Sequence, residues 1–484
     1  MIYRSDPSCG CIAQERRGRR TFDWKTRASS GVADGRTMWI KRILLRLRQR
    51  PSLFTGCLCF LVFLFYTFSD YWSRGGATPV TGRTVPWGGQ QVAAAIKGSP
   101  QSSNGAFQQI PLEPVTEQVV AQVNVEDLRI FAFNLNKRQQ VHHEEKFGAT
   151  LEPSDPVIVV QVHNRWRYLQ YLLHSLSQVR GIERALLVFS HDHYDTHMLH
   201  LPRTVTFCRV MQIFFPYSTQ IYPHEFPGVH PNDCPRNIHF EQARKIKCNN
   251  ADYPDQYGHY RESKFTQIKH HWWWKINVVM ESLNLTRSHE GPIMLLEEDY
   301  YVAPDYIDAV RLLLANRHAL CGTSTCLCMV GNNDYNVKKP LTDAVEIRPW
   351  NKSTNNLGII MTRDLWKDIR ACFSEFCMHD DYNWDLTLTA VANKCLPAGS
   401  LTVSLRVSRV FHIGECGVHR RPKQCREVLL RKARLVIPKE GFGSEHIRHL
   451  RPIKPRVVRL PKISGGWADV RDHQLCVKMT LWGS

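Results

Sequence analysis

Apolar positions crowd together from residue 156 onward. Val157-Ile-Val-Val-Gln-Val162 is a continuous apolar run of strand length, the pattern of a strand covered on both faces. A polar turn at His163-Asn164-Arg165 follows. Residues 166–179 then place Leu169, Leu172, Leu173 and Leu176 on one face of a helix. Ala185–Ser190 reads as a second strand and Val205–Phe215 as a third. Strand, helix, strand at this spacing predicts a right-handed βαβ unit. Residues 264–285 read as helical, and Pro292–Asp299 as a short apolar strand that ends in three acids. The expected fold class is α/β. In open sheets of that class ligands sit off the carboxyl ends of strands. The polar clusters around 163, 191 and 297 all fall at such ends.

Upstream the pattern is different. Residues 52–69 carry no charge, and eighteen helical residues span about 27 Å, close to the thickness of a thin bilayer. Lys41, Arg42, Arg46, Arg48 and Arg50 lie on its amino-terminal side, and Tyr66, Tyr71 and Trp72 sit at the level of an interfacial aromatic belt. The positive-inside rule directs the amino terminus to the cytosol and the rest of the chain to a lumen. Some fifty residues precede the run, too many for a cleaved signal peptide. Residues 73–112 are rich in Gly, Pro, Gln, Ser and Thr and have no hydrophobic period, whereas 114–147 has near-helical spacing. The expected organisation is a basic cytosolic tail at 1–51 and a transmembrane signal anchor at 52–70. A stem with a helical lead-in follows at 71–150, and a lumenal domain at 151–484.

Charge and cysteine content sharpen this. The 484 residues carry 63 Lys+Arg against 44 Asp+Glu, a formal +19. Residues 1–50 hold 13 of the bases and 4 of the acids, leaving 50 and 40, or +10, for the other 434. The excess is concentrated in the tail, which argues against a nucleic-acid partner. Four of the 16 cysteines precede residue 60, and twelve run from Cys208 to Cys476, a disulfide framework in an oxidising lumen. Cys321-x4-Cys326-x-Cys328 admits zinc, but the compartment and the irregular spacing favour disulfides. Asn284-Leu-Thr286 and Asn351-Lys-Ser353 are glycosylation sequons, relevant only in a lumen.

Several clusters carry chemistry. Glu297-Glu298-Asp299 offers hard oxygen ligands to a divalent cation, Mn²⁺ or Mg²⁺, that would neutralise a leaving diphosphate; alone, the triplet also reads as a solvated loop start. His412, in Arg409-Val-Phe-His-Ile-Gly414, would bias such a site toward Mn²⁺, though a lone histidine is more often structural. His379-Asp380-Asp381-Tyr382-Asn383-Trp384-Asp385 sets carboxylates among aromatic faces, which suits sugar rings and a base for an acceptor hydroxyl; it reads equally as a helix start. In Gln267-Ile-Lys-His-His-Trp-Trp-Trp-Lys275 three successive tryptophans cannot share one helical face, so the element is buried on several sides. Lys269, His270 and His271 could still reach a nucleotide. Ser190-His191-Asp192 could hold a ribose or base. Adjacent triad residues cannot converge on each other, so it is not a hydrolase triad. No Gly-x-Ser-x-Gly, Walker-type loop or His-Glu-x-x-His occurs.

Taken in order, these motifs resemble a known family. Val160-Gln-Val-His-Asn-Arg165, Phe189-Ser-His-Asp192, Cys234-Pro-Arg236, Gly258-His-Tyr-Arg261, Lys269–Lys275, Leu296-Glu-Glu-Asp299, Asp380–Asp385, Phe411-His412 and Gly465-Gly-Trp467 resemble the N-acetylglucosaminyltransferase II family over about 155–480. The resemblance implies a GT-A glycosyltransferase fold, with a Rossmann-like nucleotide-sugar-binding half and an acceptor-binding half. It implies Mn²⁺ on Asp299 and His412, with Glu297 and Glu298 behind them. It further implies UDP-GlcNAc on Gln161, Val162, His163, Asn164, Arg165, Asp192, Gln267, Ile268, Lys269, His270 and His271, and Asp385 as base.

The implied reaction is inverting β1,2 transfer of GlcNAc onto the α1,6-arm mannose of N-glycans on glycoproteins, in the Golgi membrane as a type II protein. Transfer to the α1,3 arm, or a non-catalytic Golgi glycan-binding protein, are the alternatives; the sequence leaves a homo-oligomer open. The implied disulfides are Cys208–Cys234, Cys321–Cys326, Cys372–Cys395, Cys377–Cys476 and Cys416–Cys425, with Cys248 and Cys328 left without partners. Gly414-Glu415-Cys416-Gly417 stands where the family has Gly-Asp-Cys-Gly, a change that keeps the charge.

Overall fold

A computed structural model describes residues 123–333, 341–352, 355–414, 447–455 and 462–482. The expected tail, the transmembrane span, the stem up to residue 122 and the Cys416–Cys425 pairing lie outside the described residues. Among the described residues no helix is long and apolar enough to cross a membrane.

The chain enters through helix α1 (Val125–Arg138), capped by the Asn124 side chain accepting from Glu126 N. Strand β1 (Val141–His142) follows and pairs antiparallel with β4 (Arg209–Phe214). The Asn136 amide both donates to Phe214 O at 2.7 Å and accepts from Phe214 N at 2.8 Å, which locks α1 to that strand. Residues 125–142, in the expected helical lead-in, thus pack on the outer strand of the sheet.

β2 (Val157–Val162), helix α2 (Trp166–Leu176), β3 (Leu186–His191) and β4 form the predicted βαβ succession, with β2, β3 and β4 parallel. Helix α3 (Ser263–Asn277) precedes β5 (Ile293–Glu297), which returns to the other side of β2 and pairs parallel with it. The order β1-β4-β3-β2-β5-β9-β7-β10-β8-β12 therefore reverses direction between β2 and β5. The second half of this ten-stranded sheet is mixed: β7 (Cys326–Met329), β8 (Ala344–Pro349), β9 (Ile359–Met361), β10 (Leu401–Leu405) and β12 (Arg451–Ile453). β9 runs antiparallel to both β5 and β7. A separate ribbon joins β6 (Tyr300–Val302) to β11 (Val410–His412).

Both faces of the sheet are covered, which is why β2 reads as apolar at every position but Gln161. Ile158, Val160 and Val162 pack with α2 and with α4 (Tyr306–Cys321) on one side. Val157 and Val159 pack on the other side with the tryptophans of α3 and with α5 (Phe373–Met378), α6 (Trp384–Lys394) and α7 (Val470–Trp482). The three tryptophans diverge. Trp272 stacks on Trp384 at 4.7 Å, Trp273 on Phe376 at 4.2 Å, and Trp274 tilts against Phe215 at 5.6 Å. Burying all three anchors α3 between the sheet and the helices.

Disulfides join Cys321–Cys326, Cys372–Cys395 and Cys377–Cys476. Cys234 departs from expectation. It bonds Cys248, while Cys208 and Cys328 are buried free thiols. Cys208 lies in the core beneath α2 at the start of β4, whereas Cys234 and Cys248 share a small satellite cluster with Ala243 and Tyr260. Asn284 is exposed, while Thr286 of its sequon is buried with its hydroxyl on Val279 O; Asn351 is exposed and Ser353 lies outside the described residues.

Candidate active site

The acids sit where the sheet reverses. β2 and β5 end side by side, Gln161 opposite Glu297, and ligand crevices of open α/β sheets form at such a point. Glu298 and Asp299 occupy the turn from β5 into β6. The β6–β11 register pairs His412 with Tyr300, and Ile413 N donates to Asp299 O at 3.0 Å. A residue 113 positions away is thereby brought to the turn, and His412 Nε2 lies 3.0 Å from Asp299 Oδ2. A Cβ on Gly414 would collide with that carboxylate, so glycine is required there.

Arg165, at the start of α2, holds the turn from the β2 side. Its Nε donates to Glu298 Oε1 and its Nη1 to Asp299 Oδ2, both at 2.6 Å. Glu298 also accepts from His163 N at 2.7 Å. Burial opposes ionisation of Asp299, but Arg165 and His412 outweigh it and hold the carboxyl below its ordinary range. Asp299 Oδ1 is buried and has no hydrogen-bond partner.

An orphaned Oδ1, on a carboxylate whose other oxygen meets the His412 imidazole, fits a divalent cation. Among the described residues no group of three or more His, Cys, Asp or Glu side chains forms a metal cage. An ion held by Asp299 and His412 would keep positions for phosphate oxygens and water.

The α3 side of the crevice is built by helical spacing. Gln267, His271 and Lys275 recur every four residues on one face. Asp192, at the end of β3, accepts from His163 Nδ1 at 2.6 Å and from His271 Nδ1 at 3.1 Å. Burial works against its charge, yet the two imidazoles hold its carboxyl far below the usual range. His271 is buried, with its pKa lowered by desolvation, so its Nε2 accepts from the Ser190 hydroxyl at 2.8 Å. Lys275 Nζ donates to Gln161 Oε1 at 2.6 Å. Burial pulls the Lys275 ammonium down and pushes the nearby Glu297 carboxyl up. Gln267 accepts from Thr219 N at 2.6 Å, Val162 is fully buried, Asn164 is exposed and Ile268 packs on the core.

Lys269 and His270 depart from expectation as donor-binding side chains. Two residues of helix separate side chains by about 160°, so Lys269 points away from His271. It donates to His379 O at 3.0 Å and Asp381 O at 2.9 Å. His270 Nε2 donates to Asp472 Oδ1 at 2.9 Å, under α7. Lys275, which does face the crevice, went unassigned in the sequence although its four-residue spacing from His271 was legible.

Asp385 lies in the first turn of α6, accepting from Leu386 N at 2.9 Å and from Asn356 Nδ2 at 3.1 Å. Asn356 precedes β9, whose antiparallel register sets Ile359 opposite Leu295. Burial, with Asp381 adding to it, raises the Asp385 carboxyl above its ordinary range. Near this segment opens a cavity of about 500 Å³ bordered by Arg236, Asp255, Glu262, Phe265 and Tyr382.

An α/β sheet with charged groups gathered at its switch point fits an enzyme of phosphorylated small molecules, and comparison with known proteins narrows the class to glycosyltransferases. The sequence model of the N-acetylglucosaminyltransferase II (MGAT2) family matches residues 129–476, and the chain belongs to that family. It is 38% identical over 357 residues to the α-1,6-mannosyl-glycoprotein 2-β-N-acetylglucosaminyltransferase of Sus scrofa, covering 72% of this chain and 78% of that protein. The Homo sapiens protein of the same name is 38% identical over 356 residues, covering 72% and 78%. That of Arabidopsis thaliana is 34% identical over 332 residues, covering 66% and 74%.

Proposed function

We propose that this chain transfers GlcNAc from UDP-GlcNAc, with inversion, in β1,2 linkage onto the α1,6-arm mannose of N-glycans on glycoproteins. The observation that carries the chemistry is the Asp299 carboxylate at the switch point, whose Oδ2 meets His412 while its Oδ1 is buried without a partner. Asp299 and His412 would hold Mn²⁺, whose chemistry is to offset charge on a leaving diphosphate. This assignment reads the mixed sheet as a GT-A fold.

In the reaction, Asp385 accepts the proton of the mannose 2-hydroxyl on a carboxylate oxygen. The freed oxygen attacks the anomeric carbon from the face opposite UDP, and the α linkage becomes β. A raised pKa suits that task, since a more basic carboxylate is a better proton acceptor. Asn356 and Leu386 N hold the carboxylate in position. Asp192, bracketed by His163 and His271, presents a fixed polar edge to the nucleotide, and Gln161 is oriented by Lys275. The stacked Phe265 and Tyr382 rings, centroids 4.8 Å apart, offer apolar faces for sugars of the acceptor.

The uncharged run at 52–69 and the four disulfides among the described residues support a Golgi-membrane protein with this domain in the lumen. The test is mass spectrometry of a defined biantennary precursor incubated with the chain, UDP-GlcNAc and Mn²⁺. One added N-acetylhexosamine on the α1,6 arm is the expected product. Addition to the α1,3 arm would replace the acceptor assignment, and glycan binding without UDP release would replace the catalytic one.

A further inference from the structure

Lys269 is fully buried. An ammonium in such a place must spend its three donors on partners. Two go to main-chain carbonyls, His379 O and Asp381 O, which flank the loop leading into α6. The cation also lies over the Trp467 ring at 4.2 Å and near that of Phe376 at 5.2 Å. The same loop is fastened from its other side. Asp381 Oδ1 accepts from Asn383 N, Asp381 Oδ2 from Ser464 N, and Thr387 Oγ1 donates to Asp381 O and Asn383 O. Trp272, one turn along α3 from Lys269, stacks on Trp384, the residue before Asp385. One face of α3 therefore grips the amino end of α6, while the opposite face carries His271 and Lys275 to the strand ends.

We propose that Lys269 is a positioning residue for Asp385: its ammonium fixes the 379–381 loop and so aims the carboxylate at the acceptor hydroxyl. This rests on the functional reading above and deepens it. Lys269 touches neither donor nor acceptor. Its removal frees two carbonyls and lets the first turn of α6 shift, and a misplacement of about 1 Å costs about 10²-fold in rate.

The experiment compares the unsubstituted chain with Lys269→Met and Lys269→Gln. It measures kcat and KM in the transfer assay, UDP affinity by calorimetry with Mn²⁺, and the thermal midpoint of each protein. A kcat lower by about 10²-fold in Lys269→Met, with unchanged UDP affinity, supports the assignment. Lys269→Gln keeps an amide that can still donate to one carbonyl, so an intermediate kcat is expected; it carries the test alone if the Met variant fails to fold. Undiminished kcat in a folded variant overturns the assignment, even if the thermal midpoint falls, because the role is then only structural. A parallel loss of UDP affinity also overturns it, by placing Lys269 in the donor pocket. Absence of transfer by the unsubstituted chain instead overturns the functional reading itself.

Discussion

Asp299 and Asp385, the two carboxylates given roles in the proposed reaction, have opposite surroundings. Asp299 sits at a strand end, is clamped by Arg165 and His412, and ionises more readily than an ordinary aspartate. Asp385 opens a helix, receives only neutral donors from Asn356 and Leu386 N, and ionises less readily. Their supports differ as well. The strand register and charge pairing hold Asp299, whereas Asp385 stands on helices stapled by Cys372–Cys395 and Cys377–Cys476. A sheet fixes its strand ends through its hydrogen bonds, while a helix at the margin needs other restraints. Under the proposed function, the difference suits one carboxylate to holding charge and the other to moving a proton.

The comparison breaks most severely if Asp299 is dispensable. Asp299→Ala is expected to abolish metal-dependent UDP binding and to reduce transfer to background, since electrostatic stabilisation of the leaving group amounts to several kcal/mol. Calorimetry finding undiminished Mn²⁺-dependent UDP affinity would remove Asp299 from the donor site. Asp385→Asn should lower kcat about 10²–10⁴-fold with UDP affinity intact, and a fully active variant would end its role as base.

Smaller effects sharpen the contrast. Only ionised Asp385 accepts a proton, so kcat should fall as pH drops through its pKa, with the acid limb displaced upward from the ordinary aspartate range; a profile whose limb survives in Asp385→Asn would assign it elsewhere. For stability the signs are opposed. The depressed pKa of Asp299 gives stability that is present above its unfolded value and lost as acid protonates it, whereas protonating Asp385 relieves a cost. The paired change Cys372→Ser with Cys395→Ser is expected to cost about 2–4 kcal/mol of stability, read by thermal denaturation, and to lower kcat before UDP affinity. Equal loss of both would mean that the staple supports the whole crevice rather than the Asp385 side.

How far these features were legible follows from the range of the interactions behind them. β2, β3 and β5 announce themselves because strands buried on both faces are apolar over most of their length, with polar residues at the carboxyl ends. The pairing of His412 with the acidic turn was read only through family resemblance, because it depends on β6 meeting β11 across more than a hundred residues. Lys269 and His271 looked alike in sequence. Their opposite roles come from helical angle together with what packs on each face, and three tryptophans in succession hide which face meets the sheet. Cys234 was misassigned because satellite clusters leave no periodic trace, so its neighbour Cys248 could not be told from Cys208.

The two-residue strand β1 has a practical bearing on shortened versions of this chain. Without Val141–His142 and the helix ahead of them, Arg209–Phe214 would present unpaired backbone groups to any neighbouring molecule. Strand addition at such a margin is a route to aggregation. Shortened preparations should therefore retain the chain from Asn124 onward, where α1 is capped.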